Sequence, residues 1–478
     1  MNSIISELQQ LLGAAYVLTE DLQAYEADWR GRSRGKALCV VRPANTEQVA
    51  AVVRLCAKAI AQGHEVSIVP QGGNTGLVMG STPDNSGQQI VLSLSRMNKV
   101  RAIDAANLTM TVDAGCILQN LQTAASDAGF LLPLSLAAEG SCQIGGNLAT
   151  NAGGTQVLRY GNTRDLCLGL EVVTAQGEIW NGLSGLRKDN TGYDLRNLMI
   201  GSEGTLGIIT AATLKLYPRP AASLTAWGTL PSMEAAVEFL ALAQKKLASS
   251  LTGFEVMGQF ALAQVVKHCP QLKMPLWPGS SQNSPYSVVL ELSDAESESH
   301  ARTQLEALME AALEAEHISD AVIAENLAQA HALWHIRESI PLAQAQEGLN
   351  IKHDISLPVS RIPEFCAATD AALRNAFAGV RLVNFGHLGD GNLHYNVQCP
   401  EGANVQTFLL DHEAQINKIV YDNVLSFGGS ISAEHGVGSL KRDELPHYKS
   451  AVALSMMRSI KLALDPQNLL NPGRVVSI

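Results

Sequence analysis

The residues with the clearest capacity for chemistry are two histidines, His387 and His394, on either side of an Asp-Gly dipeptide at positions 390 and 391. Asp-Gly favours a two-residue hairpin turn, which would place the two imidazoles directly opposite each other on one face of a sheet. Asn396, two residues further on, would share that face. Imidazoles this close can share a metal ion. The alternative is that they simply pair on a polar face of the sheet.

A carboxylate and a third imidazole are adjacent in Glu434 and His435, within the glycine-flanked segment 432–438. If Glu434 joined His387 and His394, the result would be a His₂Glu set with open coordination positions, which is typical of catalytic metal sites. His435 could then act as a general base beside the metal. Zinc, manganese and iron all accept such a set of ligands.

Two cations precede these histidines in the chain, Arg337 and Lys352. The planar guanidinium of arginine is suited to bidentate capture of a carboxylate. Lys352 lies within the strand-like run 350–357, where a lysine on a buried face would be costly without an anionic partner. Either cation could instead belong to a surface ion pair. The pattern therefore allows two interpretations, a site for an anionic substrate or ordinary surface charges.

Glycine is concentrated in the first half, with 21 of the 40 glycines between residues 72 and 207 and only six between residues 221 and 385. The segments 70–76, 139–154 and 201–207 combine glycines with small or amide side chains. Such loops can direct backbone N–H groups at a phosphate, or lie close against a large flat ligand. Neither the Rossmann G-x-G-x-x-G nor the Walker motif occurs. Three such loops favour one extended ligand over three unrelated turns.

The elements that must position these residues differ between the two halves. Before the Pro-broken segment 217–220, short apolar runs alternate with turns, which indicates an α+β domain with many short strands. Strands are predicted there at 37–41, 66–70, 90–94, 110–112 and 170–174, and helices at 46–62 and 117–128. The later strands are predicted at 224–230, 252–256, 286–292, 350–357 and 381–386, and the later helices at 233–248, 296–316, 324–346, 362–378, 413–425 and 452–464. This second pattern is typical of an antiparallel sheet with helices on one face.

Composition excludes several classes of function. The 478 residues are enough for two or three domains, and the net charge of −11 argues against a nucleic-acid-binding protein. No apolar run reaches the roughly 18 residues of a transmembrane helix, and no basic residue precedes Arg30, so neither a membrane span nor a leader is predicted. The eight cysteines are scattered without a C-x-x-C motif. We therefore expect reduced thiols and a cytoplasmic protein.

Taken together, these segments resemble a known family. The chain is similar to the vanillyl-alcohol oxidase/p-cresol methylhydroxylase (PCMH) flavoproteins, and more closely to their FAD-linked D-2-hydroxyacid dehydrogenase branch. That branch contains D-2-hydroxyglutarate dehydrogenase, D-lactate dehydrogenase and the glycolate oxidase flavoprotein subunit. The likeness extends from about residue 40 to residue 474. The motifs that carry it are residues 70–76, 144–154, 160–166, 201–207, 386–394, 432–438 and 470–473.

The resemblance implies an α+β architecture in three parts. Residues 1–220 would form a PCMH-type FAD-binding domain, and residues 221–430 a ferredoxin-like antiparallel cap domain for the substrate. Residues 431–478 would form a small helical C-terminal segment that completes the active site and the FAD domain. Non-covalent FAD is expected, because His64 is the only histidine near the first glycine loop and precedes the strand. The expected FAD-binding residues are Pro70, Gly72, Gly73, Asn74, Thr75, Gly76, Pro133, Gly140, Ser141, Ile144, Gly145, Gly146, Asn151, Gly204, Ile209 and Asn471.

The same resemblance implies a reaction. A D-2-hydroxy acid would be oxidised to the 2-oxo acid with metal assistance, its α-hydride passing to flavin N5. The metal, expected to be Zn²⁺, would be bound by His387, His394 and Glu434. His435 would be the catalytic base and would bind the substrate together with Arg337, Lys352 and Asn396.

The two cations favour a substrate with two carboxylates, with D-2-hydroxyglutarate first and D-malate as a similar diacid. D-lactate and glycolate are the alternatives. The D-2-hydroxyglutarate dehydrogenases also carry a threonine four residues after the arginine, where this chain has Pro341. The expected electron acceptor is electron-transfer flavoprotein or a quinone system, and a homodimer is the usual arrangement. An oxidase that uses oxygen and a subunit of a larger dehydrogenase remain alternatives, while the complete His-His-Glu-His set argues against a non-catalytic flavin module.

Overall fold

The computed structural model describes residues 2–29, 31, 33–277 and 284–478. The α-helices are α1 (Asn2–Leu12), α2 (Gln23–Glu26), α3 (Thr46–Ala61), α4 (Leu118–Asp127), α5 (Ile144–Thr150), α6 (Val157–Tyr160), α7 (Thr163–Leu166), α8 (Leu195–Met199), α9 (Met233–Leu247), α10 (Gln259–His268), α11 (Glu298–Glu314), α12 (Leu327–Glu338), α13 (Ile340–Glu347), α14 (Ile362–Ala376), α15 (Val405–Ser426), α16 (Leu445–Tyr448) and α17 (Ala451–Leu464).

The β-strands alternate with these helices. They are β1 (Val17–Leu18), β2 (Ala37–Val41), β3 (Ser67–Gln71), β4 (Gln89–Ser93), β5 (Val100–Asp104), β6 (Thr109–Asp113), β7 (Phe130–Leu131), β8 (Cys167–Val173), β9 (Ile179–Gly182), β10 (Ile208–Lys215), β11 (Tyr217–Pro218), β12 (Ala222–Leu230), β13 (Leu251–Gly258), β14 (Tyr286–Asp294), β15 (Asp320–Ile323), β16 (Asp354–Ser356), β17 (Arg381–His387) and β18 (Asn392–Gln398).

The chain forms two compact units. The N-terminal unit comprises Met1–Gly153, Gly161–Pro218 and Glu434–Ile478, and the inserted unit comprises Gly154–Tyr160 and Arg219–Ala433. The predicted mixture of helices and sheets is confirmed. The Pro-broken segment 217–220 spans the point where the chain passes from one unit to the other.

The N-terminal unit contains a mixed sheet in the order β1-β2-β4-β3, in which β2, β4 and β3 run parallel. Parallel neighbours require a crossover, and α3 provides it between β2 and β3. Its buried residues Val49, Val52, Val53 and Cys56 recur at helical spacing. A second sheet, in the order β5-β6-β10-β8-β9, is antiparallel.

The C-terminal tail is part of the N-terminal unit. Leu470 forms a parallel bridge with Ile68, and the N–H of Asn471 donates to the carbonyl of Ile68 at 2.7 Å. The buried ammonium of Lys461 donates to the carbonyls of Thr205 and Leu470, each at 2.8 Å. These bonds place the tail beside β3, whose last residues open the first glycine loop.

The inserted unit is built on one antiparallel sheet in the order β15-β12-β14-β13-β17-β18-β16. The prediction of an antiparallel sheet is confirmed, but helices cover both faces rather than one. On one face Phe239 of α9 contacts Phe254 of β13, with ring centroids 5.4 Å apart. On the other, α10, α12 and α13 cover a cluster that includes Trp227 and Met257. The reason is that every residue of β13 is buried, so both faces need cover.

The helix predicted at 324–346 is two helices, α12 and α13, which meet at Ser339 and Ile340. Pro341 stands in the first turn of α13. Proline lacks an N–H group and its ring clashes with the carbonyl four residues earlier, so an uninterrupted helix cannot run through it. Arg337 therefore lies in the last turn of α12 rather than in the middle of one long helix.

All eight cysteines are buried and free, as the sequence predicts. Burial raises the pKa of the Cys39 and Cys56 thiols to about 12. Within the described part of the chain, no helix is both long enough and apolar enough to span a bilayer.

Candidate active site

A cleft lies in the N-terminal unit, where the turn after β3, helix α5 and the loop before β10 meet. Ten of the residues expected to bind FAD line it. They are Pro70, Gly72, Gly73, Asn74, Thr75, Gly76, Gly145, Gly146, Gly204 and Ile209.

Two glycines show why this wall tolerates so few side chains. A Cβ atom at Gly73 would lie 2.1 Å from the carbonyl oxygen of Ser141, so the two glycine loops touch through their backbones. A Cβ atom at Gly146 would meet no atom within 4 Å, and this residue lines the cleft. The wall is therefore closely packed at Gly73, between the two loops, and open at Gly146, which lines the cleft. A large ligand can approach such a backbone closely.

The cleft also presents acceptors without partners. The side-chain oxygens Oε1 of Gln143 and Oδ1 of Asn147 are buried and have no hydrogen-bond partner among the described residues. Both residues line the cleft, and neither was singled out from the sequence. Leaving such atoms unpaired costs about 1–3 kcal/mol each. The hydroxyl and N–H groups of a dinucleotide would satisfy them, so the cleft fits FAD.

The other expected FAD residues do not line the cleft. Asn151 caps α5 and accepts the N–H of Arg164 at 2.9 Å, and Asn471 donates to the carbonyls of Gly80 and Glu203. The remaining expected residues outside the lining are Pro133, Gly140, Ser141 and Ile144. The side chain of Asn74 is also occupied, because its amide donates to the carbonyl of Ala27 at 2.8 Å.

The histidine hairpin differs in register from the prediction. His394 pairs with Phe385 rather than with His387, a shift of two residues. A two-residue turn of the predicted type needs positive φ at both central residues. Gly391 has φ 83°, but Asp390 ends a 3₁₀ turn that begins at Leu388. A shift of two residues keeps side chains on the same face, so His387 and His394 still share one. Their ring centroids lie 5.6 Å apart.

A buried carboxylate that the sequence analysis missed holds two of the predicted residues. Glu255 of β13 lies opposite His387 in the sheet, with its Oε1 2.5 Å from His387 Nδ1. Its Oε2 accepts a hydrogen bond from Arg337 Nε at 2.8 Å. Burial alone would raise the pKa of Glu255, but the charges of His387 and Arg337 lower it to about 2. The signal in the sequence was a lone glutamate inside an apolar strand.

Arg337 is buried rather than part of a surface ion pair. Its hydrogen bond to Glu255 uses Nε, and its guanidinium carbon lies 5.1 Å from the ring centre of Phe385. Among the described residues, its two terminal nitrogens have no hydrogen-bond partner. The two terminal nitrogens, which can bind a carboxylate bidentately, therefore remain available to a ligand.

Lys352 and Asn396 lie opposite each other. The bridge between Ile351 and Val397 and the pairing of Asp354 with His394 share one register, which places Lys352 across from Asn396. Lys352 is half-buried. Asn396 accepts the N–H of His353 at 3.2 Å and donates to the side chain of Gln344 at 3.0 Å. By the same register, these two residues share their face of the sheet with His394.

Glu434 and His435 stand in the loop between α15 and α16. Glu434 Oε1 lies 3.8 Å from His435 Nε2, and His435 lines the cleft of the N-terminal unit. The preceding residue, Ala433, closes the inserted unit, where its N–H approaches a carboxylate oxygen of Asp354 at 3.2 Å.

Each unit has donor groups suited to a metal ion. In the inserted unit Asp354 Oδ1 lies 4.0 Å from His394 Nδ1, and Asp354 was not foreseen. In the N-terminal unit Glu434 and His435 are adjacent donors. His387 also has the donor chemistry of a ligand, because a carboxylate at Nδ1 directs the imidazole lone pair to Nε2. Imidazole and carboxylate donors such as these are ligands that divalent metals accept.

The comparisons with known proteins identify the family. Residues 37–182 match the FAD binding domain model, and residues 219–475 match the model of FAD linked oxidases, C-terminal domain. D-2-hydroxyglutarate dehydrogenase of Xanthomonas citri pv. viticola is 40% identical over 98% of this chain and 96% of its own length. The chain belongs to the FAD-linked oxidase family. It is an FAD-linked oxidoreductase that acts on a CH–OH group, as predicted.

Other members of the FAD-linked oxidase family show its breadth. Mitochondrial D-2-hydroxyglutarate dehydrogenase of Arabidopsis thaliana is 36% identical over 99% of this chain and 81% of its own. A putative mitochondrial D-lactate dehydrogenase of Schizosaccharomyces pombe is 36% identical over 95% of this chain and 85% of its own. The crystal structure of p-cresol methylhydroxylase with substrate bound superposes with a TM-score of 0.78 at 17% identity, covering 100% and 97% of the two chains. That likeness shows the fold alone, and it confirms the predicted PCMH-type architecture.

Proposed function

We propose that this protein oxidises a D-2-hydroxy acid with two carboxylates to the 2-oxo acid, with D-2-hydroxyglutarate as the best candidate and D-malate as a shorter one. The observation that carries the proposal is one face of the inserted unit's sheet. The imidazoles of His387 and His394 lie there near a buried guanidinium, that of Arg337, and the half-buried Lys352 shares the same face. A metal-binding pair beside two cations suits an acid that carries more than one carboxylate.

D-lactate is the second candidate, and Pro341 favours it. The hydroxyl that a threonine would offer a distal carboxylate is absent at this position. The putative D-lactate dehydrogenase relative is as similar to this chain as several named D-2-hydroxyglutarate dehydrogenases are. Retention of both Arg337 and Lys352 supports the diacid, because a monocarboxylate needs only one of them.

In the proposed mechanism, the chain binds the acid, orients it and moves one proton. FAD would supply the hydride acceptor, and a divalent metal held by the proposed ligands His387, His394 and Glu434 would lower the pKa of the substrate hydroxyl. Arg337, Lys352 and Asn396 hold the carboxylates. A ring nitrogen of His435 accepts the hydroxyl proton. The electron pair of the O–H bond then forms the C=O bond. At the same time the α C–H bond breaks, and its hydrogen leaves with the bonding electrons as a hydride for the flavin.

Zinc is the proposed metal and non-covalent FAD the proposed form of the flavin. A mixed imidazole and carboxylate set with open positions suits catalytic zinc, and manganese or iron would suit it too. His64 supports non-covalent binding, because its side chain is exposed and it does not line the cleft.

Anaerobic reduction of the bound flavin tests the function directly. We expect D-2-hydroxyglutarate to bleach the absorbance near about 450 nm, a property of the flavin itself. D-malate should bleach it more slowly, and D-lactate and glycolate least. Removal of the metal with a chelator should abolish bleaching, and Zn²⁺ should restore it. Bleaching by D-lactate or glycolate alone would move the substrate to the monoacids, and chelator-resistant bleaching would exclude the metal from the reaction.

Lys352→Met should separate diacids from monoacids. Methionine has a similar length but no charge, so the KM for D-2-hydroxyglutarate should rise roughly 10- to 100-fold, the range expected for a lost charge-assisted hydrogen bond. The KM for D-lactate should change by less than about threefold. The matched control is Lys246→Met, on an exposed part of α9 in the same unit. An equal rise in the KM for both acids would show that Lys352 does not bind the distal carboxylate.

The remaining expectations stay predictions. Electron-transfer flavoprotein or a quinone system is the proposed electron acceptor, and a homodimer the proposed assembly. The cytoplasmic location predicted from the sequence is likewise part of the proposal. Some relatives are named as mitochondrial proteins.

A further inference from the structure

The proposed base stands on a segment without regular structure. We call residues 434–438 the His435 loop; they lie between the end of α15 at Ser426 and the start of α16 at Leu445, and contain neither helix nor strand. Precise positioning of a catalytic side chain needs rigid support from its surroundings. Such a loop depends on bonds from elsewhere in its unit, and one of them is the N–H of Val475, which donates to the carbonyl of Gly438 at 3.1 Å.

Glu203 supplies such support. Its Oε1 accepts the N–H of Val437 and its Oε2 accepts the N–H of Gly438, both at 2.7 Å. The side chain is buried, and a Cβ atom at Gly436 would lie 2.7 Å from Glu203 Oε1. Gly436 has φ 82°, so both its backbone and its missing side chain allow the loop to close on the carboxylate.

Glu203 is itself held in place at the wall of the cleft. Its φ of 52° is rare for a residue with a side chain, and its N–H donates to the carbonyl of Ala149 at 2.8 Å. Its carbonyl accepts a hydrogen bond from Asn471 at 2.7 Å. The carboxylate therefore connects α5 and the C-terminal tail to the His435 loop. These elements all belong to the N-terminal unit.

We propose that Glu203 is a positioning residue, which sets the position of the His435 imidazole by fixing the backbone of Val437 and Gly438. The proposal rests on the proposed function, in which His435 is the base. Glu203 does not exchange a proton with the substrate in this role. It keeps the loop from sampling positions in which the imidazole points away from the substrate hydroxyl.

Hydrogen exchange of the backbone amides tests the anchor without reference to activity. In Glu203→Gln one carboxylate oxygen becomes an NH₂ group, which cannot accept from the loop. We expect exchange at Val437 or Gly438, whichever faces the new NH₂ group, to rise on the order of tenfold, the change for a lost hydrogen bond of about 1.4 kcal/mol. The matched control Glu171→Gln removes another buried carboxylate of the same unit that bonds Thr46 and Arg101 instead. Unchanged exchange at the two amides would overturn the proposal.

Flavin reduction then tests the consequence. Glu203→Gln should slow anaerobic reduction by D-2-hydroxyglutarate roughly 10- to 100-fold at unchanged FAD content. The solvent deuterium isotope effect should increase, because proton removal becomes slower, and a merely structural role would not change it. Glu203→Asp, which keeps the charge, should lie between Glu203→Gln and the wild type. Loss of FAD with normal isotope effects in both variants would make Glu203 a flavin-binding residue only.

The two failures can be told apart. If His435→Asn reduces flavin as fast as the wild type, the proposed base is wrong, while the amide exchange still decides whether Glu203 anchors the loop. If His435→Asn is inactive but Glu203→Gln has wild-type kinetics, the positioning role is wrong and the base assignment stands.

Discussion

Replacing His435 with asparagine is expected to slow reduction of the bound flavin by D-2-hydroxyglutarate by roughly three orders of magnitude, within the range that a general base contributes. Asparagine keeps a polar side chain of similar reach but cannot accept the hydroxyl proton at neutral pH. FAD should remain bound, because His435 is one of many residues that line the cleft. Anaerobic stopped-flow absorbance of flavin-loaded protein measures both quantities.

The control for this variant is His447→Asn. His447 is an exposed histidine of the same unit, in α16, and has no place in the proposed reaction. His447→Asn should reduce its flavin at the wild-type rate. Fast reduction by His435→Asn would show that another group takes the proton.

Replacing Gly146 with leucine is expected to yield folded protein without FAD. Gly146 lies in α5 and lines the cleft, and a Cβ atom there meets no protein atom within 4 Å. Leucine is a good helix former, so the helix itself should tolerate the substitution. The larger side chain would occupy the space in which the proposed ligand lies. Flavin absorbance per protein and titration of the apoprotein with FAD measure the loss, which should exceed about a hundredfold in affinity.

Two further variants are controls for Gly146→Leu, one for the size of the side chain and one for its position. Gly146→Ala adds a single methyl group and should weaken FAD binding less. Ser126→Leu places the same side chain on an exposed part of α4 in the same unit, and should bind FAD as the wild type does. Thermal melts of the apoproteins show whether all three are folded. Stoichiometric FAD in folded Gly146→Leu would place the flavin elsewhere.

Local pattern was a reliable guide to most elements. Helices α3, α9, α14 and α17 and strands β2 and β12 lie within a residue or two of their predicted positions, because apolar residues recur at the period of each element. Short-range chemistry also explains the split between α12 and α13, since Pro341 was visible in the sequence. Among the elements that were not predicted are helices α1 and α10 and strands β5 and β9.

Composition was enough to locate the glycine loops, but not to show which of their polar atoms lack a partner. The sequence indicated that residues 70–76 and 139–154 approach a phosphate or a large flat ligand. The close approach that the structure shows at Gly73 is a different one, between the backbones of these two segments. Which amide oxygens remain unpaired in the wall, those of Gln143 and Asn147, depends on atoms from several segments at once. No spacing rule within one segment reports that.

The sequence by itself determined the family, the α+β class and the face that His387 and His394 share, because motifs and two-residue periodicity are local properties. Only the tertiary structure decided the register of the hairpin, the burial of Arg337 and the roles of Glu255 and Glu203. The partners of Glu255 lie 82 and 132 residues away, and those of Glu203 lie 234 and 235 away. A glutamate has the same identity whether it faces water or a distant loop, and only the packed chain specifies which of these it meets.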